Sequence, residues 1–142
     1  DHLEALLSSN FTAVPSKNYF ISLFKDRVQE YILSLIGKKK PEHILVAMIY
    51  YPSFQIDGWA SRILKKLQYD KPEKRYLLQG FIQFLYKEAT SQIKIEGIKI
   101  SALPLYEVLD GSDPNYYVSS VEPSVDGGKV LGKYYVEKLK IE

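Results

Sequence analysis

The sequence predicts an α/β protein: a three-layer α/β/α arrangement with parallel strands. Three observations predict it. An unbroken apolar run at residues 44–51, bounded by Pro41 and Pro52, is too short for a helix and suits a strand buried on both faces. A second strand-like segment, residues 98–105, follows Gly97. Between them lies a long stretch of helical periodicity, the kind of connection that joins parallel strands in a βαβ unit.

Taken in order, residues 2–8 read as a short helix with Leu3, Leu6 and Leu7 on one face. Residues 9–18 form a loop broken by Pro15. A long helix is expected over 19–36, because Phe20, Phe24, Val28, Tyr31, Ile32 and Leu35 recur at three- and four-residue spacing. Gly37 stands where a C-cap belongs, and Lys38, Lys39 and Lys40 lie beside the negative end of the helix dipole. The first strand comes next, then a loop at residues 52–58. A helix over 59–68 carries Ile63, Leu64 and Leu67. Asp70, Pro72 and Glu73 form a helix-start signature. The helix they open runs to about Gln92, with Leu78, Phe81, Ile82, Leu85 and Ala89 facing the core. In the second strand Ile98, Ile100 and Ala102 alternate with Lys99, Ser101 and Leu103. A polar loop with the turn signals Asp110-Gly111 and Asp113-Pro114 follows. Ser124 caps the last helix, Asp126 sits in its first turn, and Val130, Leu131, Tyr134, Tyr135 and Leu139 form its apolar face.

The chain of 142 residues is 46% apolar and 25% charged, the composition and length of one globular domain. With 19 basic and 17 acidic residues the net charge is +2, which argues against an obligate nucleic-acid binder. Cysteine is absent, which excludes disulfides, thiolate metal sites and a thiol nucleophile. Two histidines are too few for a multi-histidine metal site, and neither a metal nor a cofactor is expected. No apolar run reaches the roughly 18 residues of a membrane span. The chain opens Asp-His-Leu-Glu, without Met or a signal-peptide pattern, so a processed or truncated product is expected. Absence of cysteine points to an intracellular setting, cytoplasmic or organellar, with mitochondria included. Asn10-Phe11-Thr12 matches a glycosylation sequon and is read as a chance triplet.

Residues 121–139, Val-Glu-Pro-Ser-Val-Asp-Gly-Gly-Lys-Val-Leu-Gly-Lys-Tyr-Tyr-Val-Glu-Lys-Leu, resemble the last motif of the SGNH (GDSL-type) esterase and lipase superfamily. There Asp-x-x-His-Pro-Ser/Asn precedes a glycine and a closing amphipathic helix. The opening Asp1-His2-Leu3 resembles the sequence just past that superfamily's Gly-Gly-Asn motif. Element order fits the second half of the fold, so the resemblance implies the C-terminal half of a larger domain. The family's catalytic Asp and His positions fall on Ser119 and Glu122, and the chain contains no Gly-Asp-Ser. A standard Ser-His-Asp triad cannot be built from these positions, because the base must shuttle a proton near neutral pH.

Other candidates have simpler readings. His2 reads as a surface residue and His43 as a loop histidine ahead of the strand. Turn chemistry accounts for Asp110 and Asp113, and Asp57 lies in a loop on the expected site side. Lys38 to Lys40, with Lys65, Lys66 and Lys71, read as solvated charge. Twelve tyrosines include the pairs Tyr50-Tyr51, Tyr116-Tyr117 and Tyr134-Tyr135; at least one member of a pair is expected to be exposed or interfacial, while Tyr134-Tyr135 reads as helix packing.

Two functions are expected from this reading. One is a non-catalytic subunit with a structural role in a larger complex. The other is an esterase-type hydrolase whose nucleophile and oxyanion donors lie in an N-terminal half or a partner chain. Two strands make too small a sheet, so the chain's own N-terminal half or another protein is expected to complete it.

Overall fold

A computed structural model of the chain describes residues 16–140. The helix expected at residues 2–8, His2 and the sequon at Asn10 lie outside the described residues. The elements are α1 (Ser16–Phe24), α2 (Asp26–Leu35), β1 (His43–Met48), α3 (Ser61–Lys66), α4 (Arg75–Glu88), β2 (Lys99–Pro104), β3 (Tyr117–Ser119), β4 (Glu122–Pro123) and α5 (Val125–Lys140). Single 3-10 turns lie at Pro72–Lys74, Thr90–Gln92, Leu105–Glu107 and Pro114–Tyr116. The fold is mixed α/β, with a small parallel sheet of β1 beside β2 and a separate antiparallel hairpin of β3 and β4. The described residues fall into two compact units. The first holds residues 16–48 and Gly80–Leu103, and the second holds Ile49–Gln79 and residues 104–140.

In the first unit, the helix expected over 19–36 is two helices. Lys25, at φ −112° and ψ −69°, departs from ideal helical angles while staying in the right-handed helical region, and Lys25 and Gln29 still donate to the Ile21 and Lys25 carbonyls at 2.8 Å. Phe20 meets Phe81 edge-on at 5.2 Å, Phe81 stacks on Phe84, and the Lys17 ammonium lies over the Phe84 ring at 5.4 Å. The apolar stripe is only half-buried, at Phe20, Phe24, Val28 and Ile32, and Tyr31 and Leu35 are 63% and 66% exposed. Gly37 does not form the expected cap, since Ile36 turns extended and ends the helix first. In α4, Ile82, Leu85 and the following Ala89 are buried as their spacing predicts.

Strand β1 stops at Met48, not Tyr51, and is not buried on both faces. Residues 43–46 are half-buried, Ala47 is exposed and only Met48 is enclosed. Among the described residues each strand of this sheet has one neighbour and keeps an open edge. The strands are tied at their start by the Lys99 amide, donating to the Glu42 carbonyl at 3.0 Å, and by His43 Nε2 and Ser101 Oγ, 2.8 Å apart. His43 is therefore the first residue of a strand rather than part of a loop.

In the second unit, α3 is shorter than the expected 59–68. Gln68 adopts φ +57° and ends it. Ala60, Leu64 and Tyr69 form the core here, with Phe54, Leu78 and Val121 packed against them. Asp70 does not cap the next helix: Lys71 is the N-cap, without a side-chain bond, and a 3-10 turn with Pro72 leads into α4. Ser124 does cap α5, its Oγ accepting from the Gly127 amide at 3.2 Å. On α5 Leu131 is buried, Val130, Tyr134 and Tyr135 are half-buried, and Leu139 is exposed, which narrows the expected apolar face.

An N-cap hydroxyl contributes about 1 kcal/mol to a helix, and an exposed mid-helix serine almost nothing. Ser124→Ala should therefore lower the unfolding free energy of the full-length protein by about 1 kcal/mol in urea titration. Ser34→Ala, which removes only an exposed bond to the Tyr31 carbonyl, should cost less than about 0.5 kcal/mol.

Candidate functional site

The chain leaving β1 passes through Tyr51, Pro52 and Ser53, all buried and none in a strand. Buried backbone polar groups need partners, and four come from other segments of the same unit. The Tyr51 amide donates to the Leu109 carbonyl at 3.1 Å, and the Ser53 amide to the Ser120 carbonyl at 2.7 Å. The Tyr117 hydroxyl donates to the Tyr51 carbonyl at 2.7 Å, and the Tyr69 hydroxyl to the Pro52 carbonyl at 2.9 Å. The Tyr51 ring stacks on Tyr106 at 5.2 Å. Gly111 closes this knot. It has φ +83°, and a Cβ there would run into the Pro52 carbonyl oxygen.

Ser119 and Glu122, expected in a loop, face each other across the β3–β4 hairpin. Their environments differ. Ser119 is buried, and its Oγ has no hydrogen-bond partner. Gly58 packs so closely on it that a Cβ at 58 would sit 2.6 Å from the Ser119 Cβ. Glu122 is exposed, and its Oε1 accepts from the indole N–H of Trp59 at 3.3 Å. Tyr50 donates to the Val121 carbonyl at 2.8 Å within the same hairpin turn. Burial, and after it the negative charge of Glu122, pushes the Tyr50 hydroxyl above its usual range.

Beside the hairpin lies a cleft of about 140 Å³, bordered by Ser53, Phe54, Asp57, Ser61, Lys65, Asp70 and Ser120 among others. Ser120 is 1% exposed, and its Oγ also lacks a partner. Reasoning from the sequence missed Ser53, Ser120 and Tyr69, and singled out Tyr117 only as one of a tyrosine pair. The only signals were the tyrosine count and a proline directly after Tyr51, which marks a buried segment short of one backbone donor.

Asp57 and Asp70 border the cleft. The Asp110 carboxylate accepts from the amide and hydroxyl of Ser112, which holds it below the usual carboxylate range. Asp113 accepts from the Asn115 amide at 2.9 Å. Both are turn residues, as their sequence context predicts. Among the described residues no cluster of acids and histidines could hold a metal ion. His43 pairs with Ser101 in the first unit. Of the tyrosine pairs, Tyr51 and Tyr117 are buried, and Tyr50, Tyr116, Tyr134 and Tyr135 are half-buried. The Tyr117 hydroxyl is taken up by the Tyr51 carbonyl, and the Tyr51 ring by Tyr106.

No helix among the described residues is long and apolar enough to cross a membrane. In comparisons with known proteins, no family model, no curated protein and no solved structure matches the chain.

Burial drives the Tyr69 hydroxyl up to about 12, against smaller opposing effects from Gln79 and Arg75, and drives Tyr117 in the same direction. The folded protein holds these protons more tightly than the unfolded chain, where tyrosine titrates near 10. The stability they confer is therefore complete below pH 10 and is lost as pH rises towards 12. Urea denaturation of the full-length protein should show that decline. Tyr69→Phe should make the decline shallower, and at neutral pH should cost about 1–3 kcal/mol by leaving the Pro52 carbonyl unpaired.

Proposed function

We propose that this chain is a non-catalytic, SGNH-hydrolase-like α/β protein that serves as a subunit of a larger assembly. The observation that carries the reading is the surroundings of Ser119 and Glu122. Triad chemistry needs a base that accepts a proton from a nucleophile, and a third group that orients the base. Glu122 is instead engaged by the Trp59 indole, and Ser119 is enclosed against Gly58. Both positions act as structural parts: Glu122 anchors the hairpin to the loop before α3, and Ser119 fills the contact with Gly58.

The partner is a protein chain that extends the β1–β2 sheet, giving the three-layer arrangement expected of the family. Three features support this. A two-stranded sheet is marginal by itself. Open strand edges invite pairing. Tyr31, Leu33 and Leu35 on α2 and Ile49 just past β1 are large apolar side chains at least 48% exposed.

The experiment has two parts, both on full-length protein isolated under native conditions from its own cells. Incubation with a fluorophosphonate probe should label no serine above the heat-denatured control. Sedimentation velocity should show a species heavier than one chain. Stoichiometric labelling would favour the esterase reading, and a monomer at every concentration would remove the assembly.

A further inference from the structure

On α3 and the turn before it, Trp59, Arg62, Ile63 and Lys66 recur at three- and four-residue spacing, and all four are exposed. We infer that this face docks on the surface of an anionic lipid bilayer, with Trp59 and Ile63 at headgroup depth and Arg62 and Lys66 paired with the lipid charges. This goes beyond the assembly role. The sheet edges and the α2 side chains assigned to the partner chain take no part in it.

The opposite side of the same turns is fixed inward, because Ala60 and Leu64 belong to the core of the second unit. Helical spacing then sets Trp59 and Ile63 in one row and Arg62 and Lys66 in the row beside it. Trp59 is 75% exposed and Ile63 49%. The indole is held by its edge, its N–H donating to Glu122 Oε1 at 3.3 Å, so the ring is oriented yet uncovered.

Charge on this face is of one sign. From Gly58 to Tyr69 the chain carries Arg62, Lys65 and Lys66 and no acidic residue. Among the described residues none of the three makes an ion pair or a side-chain hydrogen bond. Lys65 borders the cleft together with Asp57 and Asp70. Glu122, engaged by the indole, is the acid in contact with the face, and Arg62 and Lys66 outweigh it.

Positive charge calls for an anionic partner, and the size of the face selects among them. A specific protein interface takes about 800 Å² and roughly 20–30 residues on each side, far more than one face of a six-residue helix offers. A single nucleic-acid strand stacks successive bases on several aromatic rings. Here one ring stands beside an aliphatic side chain. A bilayer surface demands neither extent nor shape. Indole rings settle at the headgroup level, and each lysine or arginine near an anionic leaflet strengthens attachment about fivefold.

Trp59 is the only tryptophan in the sequence, so its fluorescence reads this face alone. The test titrates the full-length protein with vesicles of phosphatidylcholine, pure or with one-third phosphatidylserine, and follows emission wavelength and cosedimentation. The mixed vesicles should carry the protein down and shift its emission to the blue, and the pure ones should do neither. Arg62→Glu with Lys66→Glu should weaken binding at least about tenfold. Ile63→Ser, which leaves the charge unchanged, should weaken it several-fold, and it decides the matter if the double variant does not fold. Lys38→Glu with Lys39→Glu makes the same change of charge on exposed lysines of the first unit and should have far less effect. The inference is overturned if mixed vesicles leave the emission unchanged, if Ile63→Ser binds as the parent does, if the Lys38 and Lys39 pair matters as much as Arg62 and Lys66, or if a single-stranded oligouridine competes the protein off the vesicles.

Discussion

A buried stretch of chain without a strand to pair with is the constraint on which the second unit depends. Tyr51, Pro52 and Ser53 follow β1 directly and are enclosed, yet no ladder satisfies their peptide groups. Leaving such groups unpaired would cost about 1–3 kcal/mol each, a large share of a total stability of about 5–15 kcal/mol. The chain answers with two backbone partners, Leu109 and Ser120, and two tyrosine hydroxyls, Tyr69 and Tyr117. They come from three segments, Ser120 and Tyr117 both from the hairpin. Satisfying three residues therefore fixes the turn after α3, the segment ending at Gly111 and the β3–β4 hairpin around one point.

The candidate site is a consequence of that convergence. Holding the Ser120 carbonyl on the Ser53 amide sets the hairpin over the loop that carries Gly58, and only a glycine fits beneath Ser119. The same clamp opens the cleft between Ser53, Ser61 and Ser120. Trp59 then meets Glu122 at the surface. The position where the resemblance expects a base is held by an indole, and the position where it expects an orienting acid is held by packing.

Much of the fold was legible in the residues, for reasons that also mark its limits. The spacing of Ile82, Leu85 and Ala89 found the buried face of α4, because one helix face repeated over several turns is a strong signal. Ser124 was readable as a cap because capping is local chemistry. Strands β1 and β2 were found as neighbours, but the full burial assigned to β1 was not met, since apolar content reports what can be buried and not what covers it. The hairpin was missed: strands of three and two residues show no period, and Ser120-Val121 is not among the residue pairs that announce a turn. The cleft and the tyrosine clamp depend on contacts between distant segments, such as Tyr117 with Tyr51, which no local pattern encodes. Ser119 and Glu122 were placed by resemblance, and only the structure pairs them with Gly58 and Trp59.

The most direct test of this account is native-state hydrogen exchange at the Tyr51 and Ser53 amides, read by NMR on the full-length protein. Both lie outside any strand, and a loop that is merely folded over the surface exchanges at nearly the rate of an unstructured chain. The clamp predicts that both amides exchange only through opening of the whole second unit, with protection matching that of the Leu64 amide in α3. Rapid exchange at either position, with Leu64 still protected, would contradict it.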